Sequence, residues 1–137
     1  MRLITLLPLL LAAGLAPASG HAASASNGSN PGYVALEPLV VNLAEGRRMR
    51  FMQVKMQLMA KDPKVQEAIE LHMPAVRDRL IMLFAHQDAT TLRSPEGREA
   101  LRQEALLAVQ TVVSEVTVST SLLPAVEGLY FTDFVIQ

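Results

Sequence analysis

An α+β fold, in which helices cover one face of a small, mostly antiparallel sheet, is the class this 137-residue sequence predicts. Three observations lead to it. Two β-type segments joined by a turn open the main part of the chain, two proline-marked helix starts occupy its middle, and an alternating apolar segment closes it. The resulting order of strand, strand, helix, helix, helix, strand places helical runs between strands that must pair around them.

Residues 1–22 precede that order as a targeting segment. Met1-Arg2 is a short positive start, Leu3 to Leu15 is an apolar run interrupted by Pro8, and Ala16-Pro17-Ala18 and Gly20-His21-Ala22 supply small residues at cleavage-site spacing. The run of about 13 residues is below the roughly 18 to 20 that cross a bilayer as a helix. Cleavage with export and retention as a membrane anchor both remain open, and both put the domain outside the cytoplasmic membrane. Residues 23–32, Ala23-Ser24-Ala25-Ser26-Asn27-Gly28-Ser29-Asn30-Pro31-Gly32, are small and polar and read as a flexible linker. Residues 33–137 then form one domain of ordinary size.

Within the domain, Tyr33 to Leu43 is rich in Val and Leu and reads as a strand, with Pro38 marking an edge or a bulge. Ala44-Glu45-Gly46-Arg47 is the turn. Arg50 to Met59 alternates, with Met52, Val54, Met56 and Leu58 inward and Gln53, Lys55 and Gln57 outward. Asp62-Pro63 is an N-cap followed by proline at the first helical position, so a helix runs from Pro63 to about Leu71. Pro74 either kinks that helix or begins a second one through Val76, Leu80, Ile81, Leu83 and Phe84. Ser94-Pro95-Glu96 repeats the start signal, and Leu101, Ala105, Ala108 and Val112 form a stripe with Leu106, Val109 and Val113 beside it. Val116 to Leu123 is β-prone, a short strand or an extended connection closed by Pro124.

The last segment, Glu127 to Gln137, carries half of the domain's aromatic residues. Simple alternation puts Tyr130, Thr132, Phe134 and Ile136 on one face and Leu129, Phe131, Asp133 and Val135 on the other. Both faces are largely apolar. This suits a strand packed on a helix on one side and either on more core or on a second molecule on the other. Pro38, Tyr130, Phe131, Phe134 and Val135 are therefore the candidate residues for an oligomer or partner interface.

Composition excludes several classes. The chain has 12 basic and 13 acidic residues, and its one short basic cluster, Arg47-Arg48-Arg50, falls at the hairpin end, so nucleic-acid binding is not expected. Cysteine is absent, which removes disulfides and lipid-modified cysteine. No nucleophile motif, Gly-rich phosphate loop or metal-ligand spacing occurs. His72 and His86 read as helix-end residues. The pairs Glu67/Glu70 and Glu96/Glu99 read as solvated, ion-paired helix faces, and the domain's six methionines as core fillers. The expectation is a protein with no catalytic residues, no cofactor and no metal.

Two motifs carry a resemblance. Ser94-Pro95-Glu96-Gly97-Arg98-Glu99-Ala100-Leu101-Arg102-Gln103-Glu104, followed about 25 residues on by Leu129-Tyr130-Phe131-Thr132-Asp133-Phe134-Val135-Ile136-Gln137, resembles the flagellar basal-body FliL family. The strand pair, the Asp62-Pro63 helix start and Met73-Pro74-Ala75-Val76-Arg77-Asp78-Arg79-Leu80 sit where that family has them. The resemblance implies a stomatin-like (SPFH-like) domain in the periplasm at the inner membrane. It also implies a non-enzymatic role in motility, swarming and chemotaxis through a homo-oligomeric ring around the motor's stator units. The implied partners are further copies, the stator proteins MotA and MotB, the basal body near the MS ring and the inner membrane. The chain departs from the family at its start, where one arginine precedes the apolar run instead of a basic stretch and a full membrane-spanning helix. A periplasmic adaptor without a motor role is the alternative.

Overall fold

A computed structural model describes residues 32–117 and 125–137. Strand β1 spans Gly32–Glu45 and β2 spans Arg48–Ala60. Helices α1 (Pro63–Leu71) and α2 (Met73–Ala85), a 3₁₀ turn at Thr91–Arg93 and α3 (Pro95–Val116) follow, and β3 (Val126–Ile136) closes the order. The leader lies outside the described residues. So does the linker except for Gly32, which already belongs to β1. Of the β-prone segment, Val116 ends α3 and residues 118–124 lie outside the described residues.

The three strands form one sheet in the order β1-β2-β3, antiparallel throughout. Glu45 pairs with Arg48, so the loop is the two residues Gly46-Arg47. A loop that short requires left-handed backbone, which Gly46 supplies at φ 60°. The three helices between β2 and β3 stack on one face of the sheet.

Each helix begins where its cap residues dictate. The Asp62 carboxylate accepts from the backbone N–H of Lys64 (2.9 Å) and Val65 (3.0 Å), ahead of Pro63. Pro74 begins a second helix instead of kinking the first: α1 closes at His72, whose carbonyl then accepts from Ala75 N (3.0 Å) and Val76 N (3.1 Å). Ser94 Oγ accepts from Gly97 N at 3.0 Å and donates to Thr91 O at 3.0 Å, which ties the start of α3 to the 3₁₀ turn.

The core is apolar throughout, with no buried polar or charged side chain among the described residues. Val34, Leu36, Leu39, Val41 and Leu43 of β1 and Met52, Val54, Met56, Leu58 and Ala60 of β2 face Ile69, Val76, Leu80, Phe84, Leu101, Ala105, Val109, Val112 and Val113 of the helices. Phe84 is fully buried and meets Phe131 edge-on, with ring centroids 6.2 Å apart.

Bulges keep these faces aligned. In β1, Glu37 and Pro38 together oppose the single residue Lys55, so Leu36 and Leu39 both stay on the helix side. Pro38 thus marks an edge strand and a bulge at once. Arg77 of α2 donates to the freed Glu37 carbonyl at 2.7 Å.

A bulge also corrects the expected faces of β3. Lys55 pairs with Asp133 and Met56 with Phe131, leaving Thr132 as the extra residue. Parity shifts there, so Leu129, Phe131, Phe134 and Ile136 all point toward the helices and pack on the core, while Tyr130, Asp133 and Val135 point away. Strict alternation cannot anticipate an inserted residue.

Candidate functional site

The face of the sheet opposite the helices is uncovered among the described residues, and it is rich in large apolar side chains. Tyr33 and Val40 of β1 are 58% and 60% exposed, Phe51 of β2 is 58% exposed, and Tyr130 and Val135 of β3 complete the set. Pairing arranges them in two groups. At one end Tyr33 is opposite Met59 and Tyr130 is opposite Gln57, with the two tyrosine rings 6.3 Å apart. At the other end Val40, Gln53 and Val135 form one row across the three strands, with Phe51 beside them opposite Asn42. Lys55 and Asp133 lie between the groups at 3.8 Å, both well exposed, a weak ion pair.

An isolated exposed apolar residue is ordinary, whereas several gathered on one sheet face make a candidate contact surface. Of the five candidate interface residues, Tyr130 and Val135 lie on this face, and Pro38 is exposed in the bulge at the edge of β1. Phe131 and Phe134 do not join them. Their rings lie 5.4 Å apart on the helix side, tilted at 46°, and the Arg98 guanidinium sits 5.8 Å from the centre of the Phe134 ring.

Tyr33, Val40 and Phe51 are surface residues that the sequence reading passed over. Their signal was available, since Phe51 shares the parity of Gln53, Lys55 and Gln57, and an apolar residue among outward-facing polar ones is the pattern to notice.

Charge elsewhere is structural. At the hairpin end Glu45 bridges Arg50 (2.6 Å) and Arg93 (2.6 Å), fastening β1 and β2 to the 3₁₀ turn. The Arg50 hydrogen bond, then the charges of Arg50, Arg93 and Arg48, hold the Glu45 carboxyl below its usual range. On α3, Arg102 and Gln103 both donate to Glu99, whose pKa is lowered to about 2. Arg102 also donates to Leu129 O at 3.2 Å and Gln110 to Val126 O at 2.8 Å, joining α3 to β3. His86 Nδ1 donates to Met82 O at 2.6 Å, a helix-end contact. Among the described residues no three His, Asp or Glu side chains converge as a metal site, and no helix is long and apolar enough to cross a membrane.

Comparison with known proteins gives the family of the chain. The family profile of the flagellar basal body-associated protein FliL matches residues 33–137. The flagellar protein FliL of Aquifex aeolicus (strain VF5) is 31% identical over 100 residues, covering 73% of this chain and 57% of that protein. The flagellar protein FliL of Escherichia coli (strain K12) is 29% identical over 108 residues, covering 79% of this chain and 66% of that protein, as is its namesake in Shigella flexneri. The chain thus spans less than two thirds of the length of these relatives. A match that runs from the second residue of β1 to Gln137 and takes in all three helices shows that the chain belongs to the FliL family of flagellar basal body-associated proteins, an accessory family and not one of enzymes.

Proposed function

We propose that this domain supports the flagellar motor by binding other proteins, oligomerising around the stator units and contacting MotA and MotB near the MS ring. In this reading it has a stomatin-like (SPFH-like) fold and works on the periplasmic face of the inner membrane. Its leader is either retained as an anchor or cleaved, in which case protein contacts alone hold it at the motor. Family membership supplies the setting. The observation that carries the reading is the uncovered sheet face, where Tyr33, Val40, Phe51, Tyr130 and Val135 are free to pack against another subunit. A closed ring needs a heterologous interface repeated at one rotation, and a sheet face presents the same surface in every copy.

The test replaces the chromosomal gene, in its own host, with a Val40→Lys, Phe51→Lys variant. Both sites are exposed, so folding and abundance should hold within the small range typical of surface substitutions. The expected result is reduced swimming or swarming together with loss of cross-linked oligomers from the membrane fraction. Normal motility and unchanged cross-links with a folded double variant would remove this face from the mechanism. Normal motility on complete deletion would favour the envelope adaptor without a motor role.

A further inference from the structure

The sheet has two outer edges, and they are protected unequally. Exposed edges normally carry some device against unwanted strand pairing. On β1, Pro38 lacks an N–H, the Glu37 carbonyl is taken by Arg77, and Ala44 forms a parallel bridge to Asp88 with its carbonyl accepting from Ala89 N. A strand that pairs across the second half of β1 meets both obstacles. On the first half of β3, α3 occupies the Val126 and Leu129 carbonyls through Gln110 and Arg102. The second half of β3 has no such device.

The register identifies which groups are open there. Phe51 and Gln137 exchange both backbone hydrogen bonds, at 2.9 and 2.8 Å. In an antiparallel ladder such pairs alternate with pairs whose N–H and C=O groups point away from the partner. Val135 opposite Gln53 and Asp133 opposite Lys55 are therefore bonded to β2, and Phe134 and Ile136 direct their backbone groups outward. Among the described residues nothing is hydrogen-bonded to those outward groups.

We propose that the Phe134–Ile136 edge of β3 is a strand-docking site for an extended segment of a partner protein, which adds a fourth strand to the sheet. The proposal rests on the reading that the domain works by holding other polypeptides. Backbone hydrogen bonds would supply the docking and side chains the selectivity. On the helix side the new strand lies beside Phe134 and Ile136, which favours branched or aromatic apolar residues. On the open side it passes Asp133, whose carboxylate has only the 3.8 Å contact with Lys55, so a lysine or arginine fits there. The partner segment is thus extended, alternating and basic. A second copy of this chain fits less well. Two β3 edges would bring the Asp133 carboxylates onto one sheet, and the stretch Thr132–Gln137 that would pair carries no basic residue to meet them.

Backbone amide exchange of the full chain by NMR tests this, with a capped peptide alternating valine and lysine as the probe. The control is the same peptide N-methylated on alternate nitrogens, which blocks the pairing edge. With peptide at ten times its Kd, exchange at Phe134 and Ile136 should slow about tenfold, while Asp133, Val135 and Gln137, already bonded to β2, change little. Asp133→Lys should weaken this peptide and favour one alternating valine and glutamate. Equal action by the methylated control, no effect of Asp133→Lys, or changes confined to Val40 and Phe51 would each overturn the proposal. Protection of Phe134 and Ile136 that rises with protein concentration in the absence of peptide would overturn it in favour of a second copy. No flagellum is involved, so failure here leaves the motor reading standing, and a failed motility test leaves this edge standing.

Discussion

Replacing Gly97 with alanine should destabilise this protein, although the same change inside an exposed helix normally stabilises it. Alanine is favoured over glycine by about 0.8–1 kcal/mol in a helix interior. At Gly97 an added Cβ would lie 2.1 Å from the Thr91 carbonyl oxygen and 2.8 Å from its carbon, both backbone atoms of the 3₁₀ turn. Ordinary contact begins at 3.4 Å, so the turn would have to retreat by about 1.3 Å. It cannot do so freely. Thr91 O accepts from Ser94 Oγ, which in turn accepts from Gly97 N, so any displacement disturbs the cap that starts α3. Overpacking of this kind costs about 1–3 kcal/mol. Because the overlap is with backbone atoms the cost lies toward the upper end of that range, about 2–3 kcal/mol, and set against the helix gain the net loss is roughly 1–2 kcal/mol, a Tm lower by about 4–16 °C for a domain of this size. Thermal and urea unfolding of wild type and Gly97→Ala, compared by circular dichroism, measure it. An unchanged or raised Tm would show that the close approach of α3 to the 3₁₀ turn is not what keeps glycine at this position.

Two other perturbations probe the core and the charge pairs. Phe84→Ala removes the fully buried ring that packs edge-on against Phe131 and should lower the unfolding free energy by about 3–5 kcal/mol. Urea denaturation reads this, and a loss below about 1 kcal/mol would mean that the contact between α2 and β3 contributes little. Glu99→Gln should flatten the acid limb of the stability curve. The Glu99 pKa is lowered from 4.5 to about 2 by hydrogen bonds from Arg102 and then Gln103. Its ionised form therefore contributes stability above about pH 4.5, and that contribution disappears as pH falls through 2. Urea midpoints measured between pH 2 and 6 should fall less steeply in the variant than in wild type, and parallel curves would rule out a Glu99 contribution.

Much of the fold was legible in local chemistry. Asp62-Pro63 and Ser94-Pro95 announce helices because an acceptor side chain and a ring lacking an N–H both suit the first turn. Gly46 announces a two-residue hairpin because few other residues accept positive φ. The alternation of Met52, Val54, Met56 and Leu58 shows the inner face of β2 because successive side chains of a strand point to opposite sides. The motifs around Gly97 and through the last strand were enough to indicate the FliL family, which the profile match over residues 33–137 bears out.

What the sequence determined by itself is the three strands, the helix starts at Pro63 and Pro95 and the apolar stripes, which depend on neighbours a few residues apart, whereas the separate start of α2 and the 3₁₀ turn came from the tertiary structure. Only the tertiary structure decided which side of β3 faces the helices. The bulge at Thr132 follows from how Lys55 and Met56 pair with a strand some 75 residues away, and it turns Phe134 inward and Val135 outward. The tertiary structure likewise decided that Tyr33, Val40, Phe51, Tyr130 and Val135 share one open surface, because that depends on strand order and register. It also decided that Arg77, Arg102 and Gln110 close parts of the sheet edges while Phe134 and Ile136 stay open, since backbone groups are identical in every residue and only packing determines which of them find a partner.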